Sequence, residues 1–127
     1  MNIHMEQHFG DGDYWSMTFI SKGFEFTEDD LIAVQYAVWF PGVLKHKPPQ
    51  RDLQNRPSGS YHVAWSRSDG LRRTNRLFVS CTQGQQPGPT VRVYRVLAQR
   101  YPDAHFTMRD YHLRQELNKQ GLNIVTP

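Results

Sequence analysis

The sequence predicts an α+β domain in which helices cover one face of an antiparallel sheet. Three observations carry that expectation. Residues 14–20, 61–66 and 76–81 each run with a two-residue alternation, the period of a half-buried strand. The stretch from Leu31 to Phe40 is apolar nearly all round, which suits a helix buried between layers. Glycine, proline and Asp-Gly turn chemistry separates these segments.

The first twelve residues, ending in Gly10-Asp11-Gly12, read as a loose lead-in. Trp15, Met17 and Phe19 then share one face of a strand that Lys22-Gly23 closes. Thr27 can cap the free N–H groups of a helix start, and Glu28, Asp29 and Asp30 suit the positive end of its dipole. Pro41-Gly42 ends that helix. Residues 45–59 form a long polar loop with three prolines, a length that compact domains keep mainly where the loop binds something or moves. Tyr61, Val63 and Trp65 define a second strand. Ser68-Asp69-Gly70 turns it into a third, with Leu77, Val79 and Cys81 on one face. After a Gly/Gln/Pro loop, Pro89 fits the first turn of a helix over 90–101, where Val93, Val96, Leu97 and Arg100 share a face. Residues 104–108 make a short strand, and 110–120 a polar helix ended by Gly121. Residues 122–125 can add an edge strand. The order is βαββαβ plus a C-terminal helix, the split βαβ pattern of a ferredoxin-like sandwich spanning 1–127 as one domain.

Composition narrows the class. Of 127 residues, 38% are hydrophobic and 13% aromatic, a load of large apolar groups that disordered chains lack. No apolar run approaches the ~20 residues that cross a bilayer, and no secretory signal is visible. One cysteine, Cys81, excludes an internal disulfide and fits a reducing compartment. The expectation is a cytoplasmic protein away from membranes.

Charge is divided along the chain. Residues 1–44 hold one base against seven acids, while residues 45–100 hold eleven bases against two acids. Most of those bases are arginine, whose planar donor fork suits phosphate or carboxylate. A basic middle of this kind fits a nucleic acid or an acidic protein surface. The competing reading folds the acidic first third onto the basic middle and neutralises both. The candidate contacts are Lys45, Lys47, Arg51 and Arg56 in the long loop, with Arg67, Arg72, Arg73 and Arg76 around the hairpin. Tyr61, Trp65 and Phe78 lie on the neighbouring strands, where exposed aromatics would stack bases and buried ones would be core.

Two other patterns carry chemistry. Asp103-Ala104-His105 and Asp110-Tyr111-His112 are paired Asp-x-His units that would bind a divalent ion if all four side chains converged. Asp110 equally suits a helix cap. His4 and His8, four apart, fall in the lead-in and read as a frayed end, and Cys81 reads as an inert strand residue. The loop Gln85-Gln86-Pro87-Gly88-Pro89-Thr90 resembles the Gln/Arg-x-x-Gly-x-Gly/Ala loop of the GNAT acetyltransferases, and Asn118 to Leu122 resembles the end of that family's last helix. The resemblance implies a mixed sheet and a coenzyme A pyrophosphate held on the backbone N–H groups of the loop and helix start. Pro89 and Thr90 depart from the family pattern there.

With no complete catalytic set, the leading expectation is a non-enzymatic binding module without a cofactor, its basic surface meeting nucleic acid or an acidic protein, with self-association left open. An acyl-CoA-dependent N-acetyltransferase and a small metal-dependent hydrolase or nuclease are the alternatives.

Overall fold

The computed structural model describes residues 1–9, 15–39, 61–68, 71–81 and 88–127. In chain order these form β1 (Asn2–Phe9), β2 (Trp15–Lys22), α1 (Glu28–Trp39), β3 (Tyr61–Ser68), β4 (Leu71–Cys81), α2 (Gly88–Arg100), β5 (His105–Met108), α3 (Tyr111–Asn118) and β6 (Ile124–Val125). The six strands make one sheet in the order β3-β4-β2-β1-β5-β6.

The sheet is mixed, which corrects the antiparallel ferredoxin-like expectation. β3, β4, β2 and β1 pair antiparallel, but β1 pairs β5 in parallel and β5 pairs β6 in parallel. The source of the difference is β1. The lead-in expected over residues 1–12 is, over Asn2–Phe9, a central strand inserted between β2 and β5. Its side chains alternate: Ile3 and Met5 are fully buried on one face, while Glu6 and His8 are exposed on the other. The expected loop over 45–59 lies outside the described residues.

Each helix connects strands that run parallel: β2 to β3, β4 to β5 and β5 to β6. Right-handed crossovers over these steps put all three helices on the same side of the sheet. The buried residues agree. Ile3, Met5, Met17, Phe19, Val63, Leu77, Val79, Phe106, Met108 and Ile124 share one sheet face and form a single cluster with Val34, Val38, Val93, Leu97 and Leu117 from the helices. α1 is held centrally, with Ile32, Val34, Ala37 and Val38 all buried, as its continuous apolar run requires.

The start of α1 is tied to the end of α2. Asp30, at 0% exposure, accepts from the Thr27 N–H at 2.7 Å, and its own N–H donates to Thr27 Oγ1 at 3.2 Å, a reciprocal capping box. The same carboxylate accepts from Arg100 Nε at 2.5 Å and from the Tyr101 hydroxyl. Burial and this carboxylate push the Tyr101 phenol up to about 12. α2 occupies 88–100, bearing out the helix expected over 90–101. At the other end of the chain, Gly121 has φ +89°, a left-handed conformation that glycine adopts without a Cβ penalty as the chain leaves α3. Among the described residues, no helix is long and apolar enough to cross a membrane.

Candidate functional site

The basic positions predicted as contacts fall into three groups. Lys45, Lys47, Arg51 and Arg56 lie outside the described residues. Arg67 and Arg72 are register partners across the β3–β4 hairpin, with Arg73 next in β4. The register is irregular here, stepping two residues in β3 (Trp65 to Arg67) while β4 steps from Leu77 to Arg72. A bulge of that kind bends a strand and re-aims its side chains.

Arg76 is the fourth arginine of the predicted hairpin group. It sits opposite Ile20 of β2, on the sheet face away from the core, and is half-buried. Its Nε is buried with no hydrogen-bond partner among the described residues. Phe78, two residues on and half-buried, shares that face and stands opposite Thr18. Trp65 lies on the other face, opposite Leu77, and packs against the core. Trp65 and Phe78 therefore lie on opposite faces and do not form one platform.

Other arginines of the basic middle are used internally. Arg92 Nε donates to the Ala37 carbonyl at 3.1 Å near the end of α1, where a cation also meets the negative end of the helix dipole. Arg95 donates to the Gln120 carbonyl at 3.3 Å, and Arg100 pairs with Asp30. Among the described residues, Asp30–Arg100 is the ion pair that links the acidic first third to the basic middle.

The paired Asp-x-His units stay apart in role. Asp103 lies exposed in the turn before β5, and His105 is exposed at its start. Asp110 caps α3, its Oδ1 accepting from the Leu113 N–H at 3.0 Å. His112 is exposed in the first turn of α3, its ring edge-on to Tyr111 with 5.5 Å between centroids. Among the described residues, no group of three or more His, Cys, Asp or Glu side chains is placed to hold a metal ion. Of the loop that resembles the acetyltransferase motif, residues 85–87 lie outside the described residues. Gly88, Pro89 and Thr90 open α2, and Thr90 is only 2% exposed. The strands that this segment connects, β4 and β5, are separated in the sheet by β2 and β1.

Sequence reasoning missed the titratable row on β1. His4 is buried, and its Nδ1 is 2.8 Å from Thr107 Oγ1 on β5. Its Nε2 lies 3.8 Å from one oxygen of Glu6, whose other oxygen lies 4.0 Å from His8 Nε2. Burial holds the His4 pKa below the usual histidine value, with Lys22 and Arg109 adding to the effect and Glu6 opposing it. His4 is accordingly neutral at pH 7. Side chains four residues apart on a strand start roughly 13 Å apart, so the row does not close around one ion. The signal in the sequence was the alternation of Ile3, Met5, Gln7 and Phe9 with His4, Glu6 and His8.

β1 outruns its parallel neighbour. Pairing with β5 stops at Met5↔Met108, and β1 continues to Phe9. A cavity of about 270 Å³ opens there, lined by residues of β1 and by Met108, Arg109 and Asp110. The carboxyl ends of parallel strands, where one strand departs and its neighbour continues, are where open sheets commonly hold ligands.

Comparison of the chain with protein-family models, with curated proteins and with solved structures finds no match in any of the three.

Proposed function

We propose that this chain is a non-enzymatic binding module whose β3–β4 hairpin meets a nucleic acid. The observation that supports the reading is Arg76. Arg76 is half-buried on the sheet face away from the core, and the part of it that remains accessible can meet a phosphate oxygen in the charge-assisted geometry that arginine favours. Phe78 stands beside it on the same face, an aromatic placed to stack a base while the cation holds the backbone. Arg67, Arg72 and Arg73 concentrate positive charge on the same hairpin, whereas Arg92, Arg95 and Arg100 are engaged elsewhere.

The test is fluorescence anisotropy with a labelled 20-nucleotide single strand, across a series of salt concentrations. Affinity is expected to fall steeply with salt, by about 0.7 in log–log slope for each phosphate neutralised. Arg76→Gln is expected to weaken binding about tenfold. The combined change of Arg67, Arg72 and Arg73 to Gln is expected to lower the slope by about 2. Absence of binding at low salt excludes nucleic acid. If a polyglutamate column then retains the protein, the same surface is assigned to an acidic protein partner.

A further inference from the structure

The cavity at the end of β1 and β5 lies at the opposite end of the sheet from the β3–β4 turn. Phe9 stands in register with Trp15, and Trp15 with Cys81, while Arg67 and Arg72 lie beyond the Ile20–Arg76 pair. Whatever it holds is therefore separate from the basic hairpin.

Charged groups of both signs line this cavity, and they come from its two sides. Glu6 and His8 stand on β1, while Arg109 and Asp110 follow the last paired residue of β5. His4 and Thr107 are register partners, so the rung after Met5–Met108 would bring Glu6 level with Arg109. Instead the chain bends at Arg109 and the ladder stops. A carboxylate and a guanidinium are left at one gap, and they do not close it. The Arg109 side chain makes no hydrogen bond or ion pair to the described residues. The Glu6 carboxylate lies 3.8 Å from His4 Nε2 and 4.0 Å from His8 Nε2, too far for hydrogen bonds.

Both groups are accessible. The Glu6 side chain is 45% exposed, and Arg109 is exposed. Both charges also reach the same part of the sheet, since each acts on the His4 ring: Arg109 opposes its protonation and Glu6 favours it.

The balance of charge selects the ligand. A simple anion drawn to Arg109 meets Glu6 and Asp110, and a simple cation drawn to those carboxylates meets Arg109. Like-charge repulsion of this kind penalises a ligand of one sign. A molecule that carries a carboxylate beside an ammonium satisfies both walls. The planar fork of an arginine takes a carboxylate with two parallel N–H donors. Asp110 already accepts from the Leu113 N–H, so Glu6 is the principal acceptor for the ammonium. The cavity, at about 270 Å³, approaches the lower range of small-ligand pockets.

We infer that this cavity binds a small zwitterion of the α-amino-acid class, its carboxylate held by Arg109 and its ammonium by Glu6.

The experiment titrates the full chain, labelled with ¹⁵N, and follows the backbone amide signals of Glu6, Gln7, Arg109 and Asp110. The probes are L-alanine, L-serine, L-leucine and L-phenylalanine. Each is paired with its C-terminal amide, which lacks the carboxylate, and with its N-acetyl derivative, which lacks the ammonium. The expected result is a saturable shift with at least one of the four, with both blocked derivatives binding about tenfold more weakly. Arg109→Gln is expected to abolish the preference for the amino acid over its amide, and Glu6→Gln the preference over its N-acetyl derivative, the crossed pattern of a paired contact. Both side chains are exposed, so circular dichroism is expected to show the same fold in each variant. The inference is overturned if none of the four gives a saturable shift, if a blocked derivative binds as tightly as its parent, or if the two preferences survive the two substitutions.

Discussion

Asp30 is the most consequential single carboxylate in the described structure, and its removal gives a quantitative test. The side chain is fully buried and accepts from the Thr27 N–H, Arg100 Nε and the Tyr101 hydroxyl. Asp30→Ala deletes three acceptor contacts at once and leaves the Arg100 cation without its partner. Breaking a buried pair in this way costs about 3–5 kcal/mol. The Arg100 side chain is 37% exposed, so water can rehydrate part of the guanidinium, which favours the lower end, about 3 kcal/mol. Loss of the capping-box contact to Thr27 adds about 1 kcal/mol. The sum is about 4 kcal/mol, or about 10–15 °C in melting temperature for a chain of this size. Urea unfolding followed by circular dichroism measures it, with an unchanged m-value showing that the loss is one of stability. Asp30→Asn keeps the shape and one acceptor, and is expected to lose about half as much. A loss below about 1 kcal/mol for Asp30→Ala would refute the idea that this carboxylate couples α1 to α2.

Two pH effects follow from the same geometry. With its pKa raised to about 12, Tyr101 contributes stability that is complete below the ordinary phenol value and is lost as pH climbs from about 10 toward 12. In an absorbance titration at 295 nm one tyrosine should therefore ionise late, and Tyr101→Phe should remove both that step and the matching alkaline loss of stability. His4 works in the opposite direction. Its lowered pKa means that the unfolded chain binds the proton more readily, so stability falls as pH drops below about 6.5. Burial is the main cause, with Lys22 and Arg109 adding to it and Glu6 opposing it, and Thr107 accepts or donates at the Nδ1 side of the ring. His4→Gln is expected to flatten the stability profile between pH 5 and 7, and an unchanged slope would remove His4 as its source.

Much of the architecture could be read from residue patterns, and the part that could not has a definite physical origin. α1 announced itself through Thr27, three acids and an apolar run, and each of those features is used in the capped, buried helix. β2, β3 and β4 followed from the alternation of apolar core-side residues such as Met17, Phe19, Val63, Leu77 and Val79 with more polar ones, although Ser16, Thr18 and Ile20 on the other face of β2 are buried as well. β1 failed to register because its outward face is His4, Glu6 and His8 and its inward face includes Gln7, so hydropathy contrast fades toward its end. What makes residues 2–9 a strand is pairing on both sides, with β2 and with β5, and no local pattern encodes a partner a hundred residues away. That omission also hid the site. The Asp-x-His units drew attention through their spelling, yet Asp110 is a helix cap. His4, Glu6 and His8 share a face only once residues 2–9 are known to be a strand.

The parallel pairing of β1 with β5 has a consequence for how the chain is made. Asn2 and His105 are register partners, so the two strands cannot meet until more than a hundred residues have been synthesised. At the usual 5–20 residues per second, the interval is roughly 5–20 s. During it, a β1–β2 hairpin formed on the ribosome would carry Ile3 and Met5 along an open strand edge, the geometry that invites pairing with another chain. Slow elongation through the Pro- and Arg-rich middle, or loss of β5, lengthens that exposure. The strand around which the finished sheet is organised is thus also the one whose neighbour arrives late.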